Sequence, residues 1–116
     1  MQRISWIGVG IMGKAMVRKA GYEIHIYARH PEKVTDVVSE GAVPHGSIAE
    51  CVKASEMVIT MVGFPKDVEE VYFAPGNILD SAAKGMTLID MTTTSPKLAQ
   101  RIYDQARERG LDALDA

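Results

Sequence analysis

A glycine-rich turn near the start of the chain constrains the fold more than any other feature of the sequence. Gly8, Gly10 and Gly13 stand in the spacing G-x-G-x-x-G, directly after an apolar run that begins at Ile4. The first glycine permits a tight turn, the second lets the backbone approach a pyrophosphate, and the third lets a helix pack close to a strand. Phosphates bind at such a helix N-terminus because its free N–H groups and its dipole favour anions. The turn therefore predicts a strand, a helix and a bound dinucleotide.

Two other interpretations of this turn stay open at the level of the sequence. A tight strand-to-helix turn needs glycine even without a ligand. The residues also match a P-loop as far as Gly13 and Lys14, but a P-loop continues with Ser or Thr, and this chain has Ala15. The missing hydroxyl would be a Mg²⁺ ligand, so dinucleotide binding is favoured over triphosphate hydrolysis. Lys14 is then interpreted as a solvated lysine in the first helical turn.

The rest of the chain alternates short β-rich runs with helical stretches. Strands are predicted over residues 4–9, 22–28, 57–62, 86–90 and 111–114. Helices are predicted over 11–20, 31–38, 65–73 and 96–109, with a turn or short helix at 77–83. This alternation predicts an α/β fold, a Rossmann-like, doubly wound and mostly parallel sheet with helices on both faces. Ligands of such sheets bind at the carboxyl ends of the strands, which places the site after Ile7, Tyr27, Met61 and Ile89.

Local signals mark several helix ends. Ser47 and Glu50 have the spacing of a capping box, and Ser95 followed by Pro96 is typical of an N-cap and first turn. Cys51 follows the capping box on an apolar helical face, so it is predicted to lie in the core.

The composition of the chain excludes several other classes of protein. Its 116 residues have the length of one domain, and 47% hydrophobic with 24% charged residues is the mix of a globular chain, not a disordered one. A net charge of −2 argues against nucleic acid as a partner. No apolar run approaches the roughly 18–20 residues of a membrane span. Cys51, the only cysteine, excludes an intramolecular disulfide and a multi-cysteine metal site, and no metal is expected. A reducing cytoplasm is the expected setting.

The end of the second predicted strand bears on the choice of cofactor. NAD-binding chains place an acid there to accept a hydrogen bond from the ribose 2′-hydroxyl, whereas this chain continues Tyr27, Ala28, Arg29, His30. The planar guanidinium of Arg29 can pair with a 2′-phosphate, which favours NADP over NAD. An ordinary solvated arginine is the alternative. His30 is expected to be a polar loop residue and His25 a surface-facing strand residue.

Taken together, these residues resemble the opening domain of the β-hydroxyacid dehydrogenases, which include 3-hydroxyisobutyrate dehydrogenase and tartronate semialdehyde reductase. Within the glycine turn, Met12 and Met16 carry more of the resemblance than the glycines do. The similarity continues, in order, through residues 19–22, 27–29, 58–62, 68–72, 88–93, 95–96 and 114–116. One departure lies between Gly8 and Arg29, where the family typically has about three more residues just before a position like Lys19. We expect either a repacked first helix or missing residues near 17–19.

The resemblance implies a set of cofactor-binding residues. Alternatives stay open for three of them: Asp67 as an acidic first-turn residue, Thr93 as a turn residue before the Ser95 cap, and Met12 as core. The implied set is Gly8, Val9, Gly10, Ile11, Met12, Gly13, Ala28, Arg29, Val62, Gly63, Asp67 and Thr93. Within it, the resemblance implies that the backbone of Val62 and Gly63 contacts the adenosine side of the cofactor and that Thr93 lies against the nicotinamide ribose.

The resemblance also implies a chemistry that this chain holds only in part. The family transfers a hydride between the nicotinamide ring and a small β-hydroxyacid, and a lysine in a helical second domain handles the proton. No lysine among these residues matches that motif, so no catalytic residue is assigned. Residues 1–116 are therefore expected to be the cofactor-binding domain of a parent chain more than twice as long, which forms a homo-oligomer. The alternative is a stand-alone dinucleotide-binding or sensing module without catalysis.

Overall fold

The computed structural model describes residues 3–8, 23–28, 30, 32, 34–39, 41–61, 65–91 and 95–115. Within these residues the chain forms six strands and five helices. The strands are β1 (Arg3–Ile7), β2 (Glu23–Tyr27), β3 (Val43–Pro44), β4 (Met57–Thr60), β5 (Thr87–Asp90) and β6 (Asp112–Asp115). The helices are α1 (Thr35–Ser39), α2 (Ile48–Lys53), α3 (Pro65–Phe73), α4 (Ile78–Ser81) and α5 (Pro96–Glu108).

The six strands form one sheet in the order β3-β2-β1-β4-β5-β6, and every pairing is parallel. Chain order runs outward in one direction from β1 to β3 and in the other from β4 to β6. The strand order thus reverses between β1 and β4, which is the switch point at which doubly wound folds bind ligands. The predicted Rossmann-like α/β fold is confirmed.

The two faces of the sheet bury different side chains, because successive residues of a strand point to opposite sides. The first, which we name the apolar face, carries Ile4, Trp6, Ile24 and Ile26 and packs against Val34, Val37 and Ala42. The second, which we name the mixed face, packs Ile7, Val58 and Leu88 against α2, α3, α4 and α5. It also holds the buried polar residues of the described chain, namely Ser5, His25, Thr60 and Asp90.

Several local predictions are confirmed at the level of single hydrogen bonds. The hydroxyl of Ser47 accepts from the backbone N–H of Glu50 at 3.2 Å, and that of Ser95 accepts from Leu98 N–H at 3.3 Å. Helix α3 begins and ends at the predicted residues. Cys51 is fully buried, as predicted. These signals act over three or four residues, which is why sequence alone finds them.

Three expectations differ from the structure or lie outside it. The sequence predicts His25 at the surface, but it is buried, because in this sheet both faces of β2 are covered. The sequence does not predict strand β3, and α1 begins at Thr35, later than expected. The first helix, with the shortened stretch near residues 17–19, lies outside the described residues. Among the described helices, none has the length and apolar character needed to cross a membrane.

Candidate cofactor site

The strand ends that should form the site lie side by side. The parallel register places Tyr27, Ile7, Thr60, Asp90 and Asp115 opposite one another, strand by strand, as the last residues of their strands. Backbone bonds continue one residue further, since the N–H of Met61 donates to Ile7 O at 3.0 Å and that of Met91 donates to Thr60 O at 2.9 Å. The turns after β1, β2, β4 and β5 therefore all begin from one edge, which we call the carboxyl edge.

Gly8 opens the turn at the switch point. Its φ is 80°, and its N–H donates to Tyr27 O at 3.0 Å, so the chain turns away from β1 while still bonded to β2. For a residue with a Cβ, this left-handed conformation would cost about 1–2 kcal/mol of conformational free energy. The first glycine of the motif therefore has the backbone conformation expected of it, and the space at the switch point is free of any side chain from this position.

Two more of the predicted contact residues are described. Ala28 follows β2 directly and packs, half-buried, against the core of the apolar face. Asp67 lies half-buried in the first turn of α3, the helix that follows the turn after β4. An acid there also suits the helix dipole, so both interpretations of Asp67 remain compatible with its position.

The other predicted contacts stay predictions, since they lie outside the described residues. Three of them are close in sequence to described residues. Val62 and Gly63 follow Met61, and Thr93 comes two residues after Met91. Those not described are Val9, Gly10, Ile11, Met12, Gly13, Arg29, Val62, Gly63 and Thr93.

Sequence reasoning missed a buried polar group at the same edge, which we name the edge network and define as Thr60, Tyr72 and Asp90. The Thr60 hydroxyl oxygen lies 2.8 Å from the Tyr72 hydroxyl oxygen and 3.2 Å from Asp90 Oδ1. The exposed fractions of the three residues are 0%, 1% and 5%. The available signal was a polar residue at the end of each strand, directly after two apolar residues.

Other possible sites within the described residues are limited. No group of three or more His, Cys, Asp or Glu side chains among them could hold a metal ion. A cavity of about 70 Å³ lies between α5 and the edge strand β6, and its lining includes Asp90, Tyr103 and Leu114. It is far smaller than the roughly 300–1,000 Å³ of ligand pockets, so the carboxyl edge remains the candidate site.

Comparison with known proteins agrees with this geometry. The sequence pattern of the NAD binding domain of 6-phosphogluconate dehydrogenase matches residues 3–116. This chain belongs to that family of NAD-binding domains. The predicted binding of a dinucleotide is thereby confirmed, while the choice between NADP and NAD is not decided by the family.

Curated relatives of the domain cover nearly all or all of its length. The chain is 42% identical to an uncharacterized oxidoreductase, YkwC, of Bacillus subtilis (97% of this chain, 40% of the relative). It is 32% identical to a 3-hydroxyisobutyrate dehydrogenase of Pseudomonas aeruginosa and 33% identical to a 2-hydroxy-3-oxopropionate reductase of Escherichia coli, covering 100% and 98% of this chain. The domain spans about two fifths of the length of these relatives.

The alignment with the P. aeruginosa enzyme has 119 positions, three more than the 116 residues of this chain. The expected shortening is of the same size, but the alignment length does not locate it.

Solved structures show the same fold. The domain aligns along its whole length with a 3-hydroxyisobutyrate dehydrogenase from Mycobacterium tuberculosis, with a TM-score of 0.90, 27% identity and coverage of 40% of that chain. An imine reductase from Myxococcus stipitatus in complex with NADP⁺ aligns over 97% of the domain and 39% of its own chain, with a TM-score of 0.87 and 25% identity. The resemblance stated from the sequence is confirmed.

Proposed function

We propose that this chain is the NADP-binding domain of an oxidoreductase that interconverts a small β-hydroxyacid and its semialdehyde or keto form. The observation that carries the proposal is Gly8 at the β1/β4 switch point, with a left-handed backbone and the ends of four neighbouring strands beside it. The relatives named as 3-hydroxyisobutyrate dehydrogenase and 2-hydroxy-3-oxopropionate reductase support the substrate class.

The residues present fit a dinucleotide. The backbone of the turn after Gly8 would hold the pyrophosphate at a helix N-terminus, and Arg29 would pair with the 2′-phosphate. The bound nicotinamide supplies the hydride chemistry, while the chain binds and orients the cofactor. A second, helical domain would hold the substrate and the proton-transferring lysine, and the parent protein would be a homo-oligomer. The cytoplasmic setting and the absence of a nucleic-acid or membrane partner stay predictions.

A titration with NADPH and NADH tests the central step. The reduced nicotinamide is fluorescent, so its emission reports binding directly, and circular dichroism confirms that the sample is folded. We expect saturable binding of both cofactors with tighter binding of NADPH. A folded chain that binds neither would refute the proposal.

Arg29→Ala tests the cofactor preference. We expect NADPH binding to weaken by about 1–3 kcal/mol more than NADH binding, the scale of a lost charge-assisted pair. Arg3→Ala is the matched control, since Arg3 is exposed and lies at the amino end of β1, away from the carboxyl edge. Equal losses for the two cofactors in Arg29→Ala would remove this role from the arginine.

A further inference from the structure

The hydrogen bonds of the edge network all donate in one direction. The Thr60 hydroxyl has one hydrogen, and its possible acceptors are the Tyr72 hydroxyl oxygen at 2.8 Å, Asp90 Oδ1 at 3.2 Å and Ile89 O at 3.3 Å. A carboxylate is the stronger acceptor, so Thr60 donates toward Asp90 and accepts from the Tyr72 hydroxyl. The chain of donation therefore runs from Tyr72 through Thr60 to Asp90.

Burial makes this arrangement restrictive. These polar groups are at most 5% exposed, so little water can replace a hydrogen-bond partner that moves away. The loss of a partner therefore costs free energy. The network therefore holds α3, the end of β4 and the end of β5 at fixed separations. Few other arrangements of these three elements would satisfy the same groups.

Each of these elements leads into a predicted cofactor contact. Thr60 precedes Val62 and Gly63 by two and three residues, and Asp90 precedes Thr93 by three. Tyr72 lies on α3, whose first turn carries Asp67. None of the three network residues belongs to the predicted contact set, so the network would act on the contacts only through the chain that leads to them.

The position of the network in the sheet indicates which part of the cofactor these contacts meet. A doubly wound sheet has two halves, each of which binds one mononucleotide of the cofactor. The glycine turn and Arg29 follow β1 and β2, so that half takes the adenosine side. The half with β4 and β5 then takes the nicotinamide side, in agreement with the position expected of Thr93 after β5. Val62 and Gly63, expected against the adenosine side, follow β4, which pairs with β1 where the two halves meet.

We propose that Thr60, Tyr72 and Asp90 are positioning residues for the nicotinamide half of the bound cofactor. They hold the end of β5, which leads toward Thr93, against the end of β4 and against α3 without touching the ligand themselves. The inference rests on the proposed function, since it needs a dinucleotide at the carboxyl edge.

The experiment compares a whole cofactor with its adenosine half. NADPH and adenosine 2′,5′-bisphosphate are titrated by calorimetry into the wild-type chain and into Asp90→Asn, Thr60→Val and Tyr72→Phe, each nearly isosteric. We expect NADPH affinity to fall about fivefold to thirtyfold, the scale of one lost hydrogen bond to a charged or buried group. Affinity for the bisphosphate stays within about twofold, and the emission of bound NADPH moves toward that of free NADPH.

Thr87→Val and Asp112→Asn are matched controls, because each makes the same chemical change at the first residue of β5 or β6, the opposite end of the strand. They should leave both affinities unchanged. Equal weakening of both ligands in the network variants, or unchanged NADPH binding in all of them, would overturn the positioning role alone. A wild-type chain that binds neither ligand would overturn the proposed function, and the positioning role with it.

Discussion

The mixed face of the sheet carries two pairs of buried polar residues. In each pair the two residues lie opposite each other on neighbouring strands, but the pairs differ in their position along the strands. Ser5 lies opposite His25 across β1 and β2, and Thr60 lies opposite Asp90 across β4 and β5. We call the first the mid-sheet pair and the second the edge pair. The mid-sheet pair stands two residues before the ends of its strands, whereas the edge pair occupies the last position of each strand.

Within the described part of the chain, the mid-sheet pair bonds to groups of α2 and the segment after it, of β2, and of the segment after β3. Ser5 Oγ donates to the carbonyl of Cys51 in α2 at 2.6 Å and contacts Ser55 Oγ. His25 lies between Glu23, at 2.8 Å from its Nε2, and His45, at 2.8 Å from its Nδ1. These bonds tie α2 and the chain after β3 to the sheet. The two pairs should therefore differ in effect because they differ in position. The mid-sheet pair should affect the free energy of unfolding alone, whereas the edge pair should also affect the affinity for the cofactor.

The largest loss of stability is expected where the sheet has no polar pair. Ile24 is 5% exposed on the apolar face, so Ile24→Ala should lower the free energy of unfolding by about 2–5 kcal/mol through lost burial and a cavity. Urea unfolding followed by circular dichroism measures this. Leu114→Ala is the control, because that side chain is 59% exposed and should cost less than about 1 kcal/mol. Similar losses in the two variants would contradict the assigned core.

Alkaline pH should weaken the layer under the mid-sheet pair. Burial raises the pKa of the Cys51 thiol from 9.0 to about 11, against a smaller opposite effect of Ser5. The unfolded chain then releases the proton first, so stability is full below pH 9 and falls as pH rises toward 11. At about pH 10 the loss should be about 1–2 kcal/mol relative to about pH 8. Cys51→Ala should lack this part of the pH slope, and an unchanged slope would refute it.

The confirmed sequence predictions depend on short-range physics. The Ser47 and Ser95 caps, Pro65 at the start of α3 and the left-handed Gly8 each follow from a few neighbouring residues. Strand β3 was not predicted because Val43 and Pro44 are too few to show a strand pattern in the sequence. They are a strand because they pair with β2. The spacing of the glycines predicts a site at the turn after β1, and the structure puts Gly8, the first of them, at the switch point.

What the sequence could not provide is long-range register. His25 looks like a surface residue because β2 alternates polar and apolar positions, yet its polar partner His45 comes from 20 residues away and covers it. Likewise, Thr60 and Asp90 are 30 residues apart and meet only through the pairing of β4 with β5. Networks of this kind become visible only when the strands are aligned.

Ser5→Ala tests whether the mid-sheet pair is purely structural. The lost bond to the Cys51 carbonyl should cost about 1 kcal/mol, because that carbonyl also accepts from the backbone N–H of Ala54. Thermal unfolding measures the loss, and NADPH affinity should stay at the wild-type value. Ser39→Ala, which removes an exposed hydroxyl bonded to Asp36 O, is the control with a smaller expected cost. A weaker affinity for NADPH in Ser5→Ala would erase the distinction between the two pairs.

The smallest effect is expected from acid acting on His45, which contacts His25 of the mid-sheet pair. Burial lowers the pKa of His45 from its ordinary 6.5, neighbouring His25 lowers it further, and Glu50 opposes both. The unfolded chain therefore binds a proton at His45 at a higher pH than the folded chain does. This contribution to the free energy of unfolding is complete above pH 6.5 and is lost as the pH falls from there through the lowered pKa. The melting temperature should drop between about pH 7.5 and about pH 5 less in His45→Gln than in wild type. Glu50→Gln should steepen the drop, since it removes the charge that favours the protonated ring. A wild-type slope in both variants would show that the histidine contact carries no linkage to folding.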